Sequence, residues 1–231
     1  LKVWRVSPDG EIRDLYHKLD SVFDMTEEDF FSHYSMGETK PTTYMEECEN
    51  EYNTYISKLT ELPFSNLWVA NKIKDMFPAN SVLHLGILNS LRSWNYFKLP
   101  PTVQCSSNTG GFGIDGIMSS LIGASLCNSD KLYYCILGDL SFFYDLNSIG
   151  NRHIRNNVRI LLINNGRGQE FRNRSHAGNL FDDEADRLIA AAGHFGYMSD
   201  SLVKGIAGSL GYLYLSASSK EEFEKSIGVF M

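Results

Sequence analysis

From residue 64 onward, short continuous apolar runs alternate with stretches whose apolar positions recur at helical spacing. This pattern predicts helices over 64–77, 90–97, 115–127, 142–154, 183–195, 201–210 and 220–227. It predicts strands over 81–85, 102–105, 132–137, 158–163 and 212–216. The runs Leu-Tyr-Tyr-Cys-Ile-Leu and Val-Arg-Ile-Leu-Leu-Ile show almost no polar alternation, as strands covered on both faces of a parallel sheet do. Strands alternating with helices make such a sheet doubly wound. The expected fold is α/β, with a doubly wound, mainly parallel sheet and a short β-rich piece ahead of it.

The chain before Phe64 has a different pattern. Residues 1–24 read as β-rich, with a strand around Val3 to Val6 and a turn at Pro8-Asp9-Gly10. Thr26, followed by Glu27, Glu28 and Asp29, opens a helix with a capping hydroxyl and acids in the first turn. From 41 to 62 the chain is polar and helical, with a packing stripe of Tyr44, Cys48, Tyr52, Tyr55 and Leu59. The expected division is a β-rich piece at 1–24, a helical linker at 25–63 and an α/β domain at 64–231. The first residue is Leu1, inside a strand-like segment, and 228–231 reads as the approach to another strand. Both features are expected of a piece of a longer chain.

Charge and composition narrow the partners. A net charge of −7 argues against a nucleic-acid surface, which needs a basic face. A small anionic ligand stays open, because a bound metal reverses the local sign. No apolar run approaches the roughly 20 residues of a membrane span, and no signal peptide opens the chain. A cytoplasmic protein is expected. Cys48, Cys105, Cys127 and Cys135 form no CxxC pair and read as reduced core residues.

In a doubly wound sheet, ligands bind at the carboxyl ends of the strands. Three predicted strand ends carry unusual residues: Ser106 to Gly116, Gly138-Asp139-Leu140-Ser141, and Asn164-Asn165-Gly166-Arg167-Gly168. One predicted helix and one predicted strand separate Asp139 from Asn165, so a right-handed βαβ crossover brings their strand tips side by side. Carboxylate and amide oxygens are hard donors suited to Mg2+ or Ca2+. The Arg167 carbonyl offers a third oxygen, leaving positions for phosphate oxygens and water. Gly138, Gly166 and Gly168 let backbone approach a ligand, and amides of the helix after Asp139 face the same place. Taken singly, an Asp after a strand is a cap and Asn-Asn-Gly is a turn. Their joint spacing on apolar strands favours a metal–phosphate site.

A rival reading rests on Gly111, Gly113 and Gly116, which satisfy G-x-G-x-x-G, with Asp139 at the end of the next predicted strand. That arrangement fits an NAD-binding Rossmann domain. Against it, Ser106 to Gly110 separate the strand from the first glycine of the motif, and Asn164-Asn165 is left unexplained. A regulatory, non-catalytic domain is a third reading, opposed by the intact Asp139/Asn165 pair. His17, His33, His84, His153, His176 and His194 show no metal spacing. Arg172, Arg174 and His176 read as a solvated loop before they read as an anion site.

Gly-Asp, then a helix and a strand, then Asn-Asn resembles the diphosphate-binding signature of thiamine-diphosphate (ThDP) enzymes, over about residues 81–171. Within that superfamily, Ser107-Asn-Thr-Gly-Gly-Phe-Gly-Ile-Asp-Gly116, Gly138 to Asn147 and Asn164 to Phe171 are most similar to the synthases of the menaquinone pathway. The resemblance implies ThDP with Mg2+ (or Ca2+ or Mn2+), held by Asp139, Asn165 and the Arg167 carbonyl. It implies cofactor contacts from Ser90, Gly138, Leu140, Ser141 and Gly168, with Ile114 as the apolar wedge under the thiazolium. Asn89, Arg92, Thr109 and Phe171 become the substrate candidates. The family usually has arginine where this chain has Thr109 and glycine where it has Arg167, and Arg92 falls two positions short of the family's spacing. Cofactor contacts therefore carry over more fully than substrate contacts. The activity implied is decarboxylation of a 2-oxo acid, 2-oxoglutarate first, with transfer to an acceptor; another ThDP decarboxylase is the alternative. The catalytic glutamate belongs to a pyrimidine-binding domain of a second subunit, so a homo-oligomer, a homodimer, is implied. Nothing before residue 64 resembles that domain; 1–24 resembles the tail of the middle domain, and 64–231 the diphosphate-binding domain.

Overall fold

The run at 132–137 becomes a central strand because both of its faces are covered. In the computed structural model, which describes residues 2–35, 43–111, 113–188 and 200–231, the chain divides into two compact units, Leu1–Lys58 and Leu59–Met231. The strands are β1 (Val3–Val6), β2 (Leu19–Phe23), β3 (Val82–Leu85), β4 (Gln104–Ser107), β5 (Tyr133–Gly138) and β6 (Val158–Ile163). In the second unit they form a parallel sheet of order β4-β3-β5-β6. The helices are α1 (Glu27–Tyr34), α2 (Tyr44–Ser57), α3 (Asn66–Ile73), α4 (Asn89–Trp94), α5 (Ile117–Cys127), α6 (Asp139–Tyr144), α7 (Ala185–Leu188), α8 (Asp200–Ser209) and α9 (Lys220–Phe230).

Alternate residues of β5 point to opposite faces. Tyr133, Cys135 and Leu137 pack with Ile117, Met118, Leu121 and Ile122 of α5 and with Phe142, while Val203 and Ile206 of α8 lie at the margin. Tyr134 meets Phe77 and Phe230 edge-on, and Phe77 meets Trp94. Covering both faces removes Tyr134, Cys135, Ile136 and Leu137 from solvent entirely, about 1.5–3 kcal/mol for each large apolar side chain. This is the expected doubly wound α/β arrangement. Ser65 and Ser219 cap α3 and α9 by accepting from the backbone N–H of Trp68 and Glu222, each at 3.2 Å. The Glu222 carboxylate in turn accepts the N–H of Ser218 at 2.7 Å, in the manner of a capping box.

The first unit pairs β1 with β2 in parallel, under an aromatic cluster of Trp4, Phe23, Phe30 and Tyr34. Thr26 caps α1 as expected, accepting from the N–H of Asp29 at 3.1 Å. No helix among the described residues is long and apolar enough to cross a membrane.

Several element boundaries differ from expectation. The strand expected at 102–105 begins at Gln104, because the N–H of Val103 turns back to the Pro100 carbonyl at 3.0 Å. Helix 115–127 begins at Ile117, since Gly116 holds φ 78°. Helix 142–154 is instead α6 from Asp139, a break at Asp145 and a 3-10 turn Leu146–Gly150. Helices at 64–77 and 90–97 shorten to α3 and α4. No strand forms over 212–216 among the described residues; Leu213 lies exposed and no ladder reaches it. Residues 228–230 extend α9 and begin no strand. Of the helix expected at 183–195, residues 189–195 lie outside the described residues. The core reading of the cysteines holds for Cys135 alone, whose burial drives its thiol pKa far up. Cys48, Cys105 and Cys127 are free but exposed, because they occupy outward helix faces or the edge strand.

Candidate functional site

The chain visits β3, moves to β4 on one side, then crosses to β5 on the other. That reversal opens a crevice at the carboxyl ends of β3 and β5. Asp139 follows β5 immediately and is 1% exposed. Its Oδ1 accepts the N–H of Leu140 at 2.7 Å, and its Oδ2 accepts the N–H of Gly166. One buried carboxylate thus joins the tip of β5 to the loop after β6, whose register sets Gly138 against Ile163. Charge-assisted bonds from two backbone amides are what a buried carboxylate needs. Gly166 holds φ 83°, and this left-handed turn aims its N–H at Asp139. The helix α6 has six residues, so it contributes terminal amides and little macrodipole.

Asn165 is exposed on the same loop, with Oδ1 accepting weakly from the N–H of Arg167 at 3.5 Å. Arg167 and Gly168 are half-buried beside it. Ser141 is buried and donates its hydroxyl to the Ile114 carbonyl, which fixes the half-buried Ile114 loop to α6. Gly138, Asp139, Leu140, Ser141, Ile114, Asn165, Arg167 and Gly168 thereby share one rim.

The remaining candidates are placed otherwise. Ser90 is buried, and its Oγ takes a 3.5 Å contact from the amide of Asn66. Asn89 is exposed at the start of α4, and Thr109 is exposed beyond the edge strand β4. Arg92 forms a two-pronged ion pair with Glu170, which raises the pKa of its guanidinium. Phe171 is half-buried and meets the His176 ring edge-on at 5.0 Å. Arg172 is half-buried and Arg174 exposed. The NAD reading fails on topology: the glycine loop follows β4, and β3 separates β4 from β5, which carries Asp139.

Four residues gain importance only in three dimensions. Glu170 is the partner of Arg92. Asp145, buried, accepts from the N–H of Ser119 at 2.7 Å and so caps α5 from a distance. Asn108 donates to the Gly113 carbonyl at 2.8 Å, shaping the Ile114 loop. His84 sits in β3 with Nδ1 2.9 Å from Ser106 Oγ, and burial lowers its pKa. Each depends on a partner distant in sequence or on a loop closure, except that Asn-Thr-Gly-Gly flags the turn at Asn108. A groove of about 410 Å3 runs beside α5, lined by Ser119, Ile122, Asp145 and Ser148 among others, away from the Asp139 rim.

No family model matches the chain. Curated proteins do. A 2-succinyl-5-enolpyruvyl-6-hydroxy-3-cyclohexene-1-carboxylate synthase of Phocaeicola vulgatus is 33% identical over 228 residues, which is 98% of this chain and 39% of that protein. The synthase of the same name from Bacteroides fragilis is 31% identical over 231 residues, again 98% and 39%. That of Christiangramia forsetii is 34% identical over 167 residues, 72% of this chain and 27% of that protein. The chain thus spans about two fifths of the length of the first two relatives, 39% in each.

Proposed function

Over the length it shares with these relatives, the chain belongs to the 2-succinyl-5-enolpyruvyl-6-hydroxy-3-cyclohexene-1-carboxylate synthase family, and from that premise we propose that it forms the diphosphate-binding part of a ThDP- and Mg2+-dependent synthase. The proposed enzyme decarboxylates a 2-oxo acid, 2-oxoglutarate first, and transfers the remaining carbon unit to an acceptor in menaquinone biosynthesis. It acts in the cytoplasm as a homodimer, with a pyrimidine-binding domain of the second subunit completing the site. The observation that carries this reading is the Asp139 carboxylate bonded to the loop that bears Asn165.

The residues present fit the group. Among the described residues no three His, Cys, Asp or Glu side chains gather, so a metal would rest on one carboxylate, one amide and main-chain oxygens. That donor set suits Mg2+ and not a soft metal. An ionised carboxylate offers roughly four acceptor positions, so Asp139 can serve the amides of Leu140 and Gly166 and a cation together. A side chain at Gly138 would meet nothing within 4 Å, so the backbone just before Asp139 borders open space. ThDP, when bound, would supply a thiazolium ring whose carbon bonds the substrate carbonyl carbon and whose cationic ring takes up the electron pair left behind as CO2 departs. Asp139, Asn165 and the Arg167 carbonyl would hold the metal, Leu140 and Ser141 would orient the diphosphate, and Ile114 would exclude water beneath the ring.

A ThDP decarboxylase of another 2-oxo acid is the second reading, favoured by Thr109 standing where an arginine for substrate carboxylates is expected. Calorimetric titration of ThDP into the chain tests the main proposal. Binding is expected with Mg2+ and absent in excess chelator; equal binding in both would remove the metal from the account.

A further inference from the structure

We propose that Arg92 and Glu170 form a strap that positions the metal loop, and that Arg92 is a positioning residue and not a substrate contact. This inference rests on the diphosphate-site reading above.

Because β5 lies between β3 and β6, an ion pair from α4 to the segment after β6 passes over the tip of β5, where Asp139 sits. Its α4 end is a firm platform. Gly86 lies against β5 so closely that a Cβ there would be 3.2 Å from the Ile136 carbonyl oxygen. Its N–H donates to that same oxygen at 2.7 Å. Leu88 then turns into α4 with φ 67°, a conformation that non-glycine residues adopt only when their surroundings enforce it. Arg92 is one turn further along.

The other end is a loop held at two points. Gly166 donates its N–H to Asp139, and Glu170, further along the same loop, receives both arms of Arg92, the second at 3.3 Å. Arg167, Gly168 and Gln169 lie between the two pins, and the Arg167 carbonyl is one of the proposed metal oxygens. Beyond this point the short helices within residues 169–188 pack against one another. With Glu170 released, the loop would lose its tie to α4, and the metal oxygen beside it would be held less firmly. The planar guanidinium matters because only a fork meets both carboxylate oxygens at once.

The test compares Glu170→Gln, Arg92→Lys and the swapped pair Arg92→Glu/Glu170→Arg in the full chain. The ion pair is half-exposed, so its loss is expected to change equilibria by about three-fold. Amide exchange at 167–170, measured without cofactor, should rise by about that factor in both single variants. The Mg2+ concentration giving half-maximal ThDP binding should rise similarly at an unchanged melting temperature. The swapped pair should restore both. Unaltered exchange in the single variants, or a swapped pair no better than they are, would overturn the strap. If the unmodified chain fails to bind ThDP with Mg2+, the diphosphate-site reading falls, while the exchange measurement still decides the strap.

Discussion

The two halves of the strand-tip rim solve the burial of polar atoms in opposite ways. On the β5–β6 side, the Asp139 carboxylate is inaccessible to solvent yet accepts two backbone N–H groups. On the β3–β4 side, His84 Nε2, Ser107 Oγ and Asn108 Oδ1 are buried with no hydrogen-bond partner among the described residues. A satisfied buried charge is preorganised, whereas an unsatisfied buried polar atom forgoes about 1–3 kcal/mol. Half of the rim is therefore assembled by its own backbone, and the other half carries polarity that its immediate neighbours leave unused. The chemistry proposed above belongs to the assembled half.

The largest effect expected is a complete one. The chain by itself should release no CO2 from 2-oxoglutarate or pyruvate, because neither half of the rim presents a glutamate identified with the aminopyrimidine end of the cofactor. Adding a pyrimidine-binding domain of the family in trans should restore turnover. Robust CO2 release from the chain alone would place the catalytic acid within these residues.

Next in size is Asp139→Ala. It removes the carboxylate proposed to hold the metal, so calorimetry should find ThDP affinity with Mg2+ reduced about a hundred-fold or more, the scale of losing a charged, buried partner. The same change leaves the amides of Leu140 and Gly166 without their acceptor, so denaturant unfolding should show a loss of about 1–3 kcal/mol. Ser107→Ala on the other half deletes a buried hydroxyl with no partner among the described residues, so ThDP affinity should hardly move and stability should hold or rise, by at most about 1–3 kcal/mol. Comparable losses in the two variants would erase the distinction between the halves.

Ile114 joins the halves, since its loop follows β4 while its carbonyl receives the Ser141 hydroxyl from α6. That bond is to backbone and survives Ile114→Gly. In a full-length enzyme, turnover should fall several-fold while diphosphate affinity stays unchanged. Equal loss of both would make Ile114 a core residue only.

The smallest effect concerns His84. Burial lowers its pKa from the ordinary value of 6.5, so below about that pH the unfolded chain takes up a proton that the folded chain resists. Its contribution is intact above pH 6.5 and is lost as pH falls toward the depressed folded value. Urea midpoints between about pH 7 and 5 should therefore decline less steeply in His84→Gln than in the unmodified chain. Parallel slopes would show that His84 is already neutralised by other means.

The sequence by itself determined the parallel α/β sheet and the meeting of Asp139 with the Asn165 loop. Continuous apolar runs have one stable burial, and a right-handed crossover of one helix and one strand returns the chain to the neighbouring strand position. Local capping was legible for a related reason: the Thr26 signal closes within a single turn. What needed the tertiary structure was the choice of individual side-chain partners at long range. The pairing of Arg92 with Glu170, 78 positions away, leaves no local trace in the sequence. Residues 142–154 read as one helix because their spacing is helical, but Asp145 leaves the helix to cap α5. The apolar run at 212–216 looked like a strand, yet a strand exists only where another backbone supplies its ladder, and hydrophobic periodicity does not encode that partner.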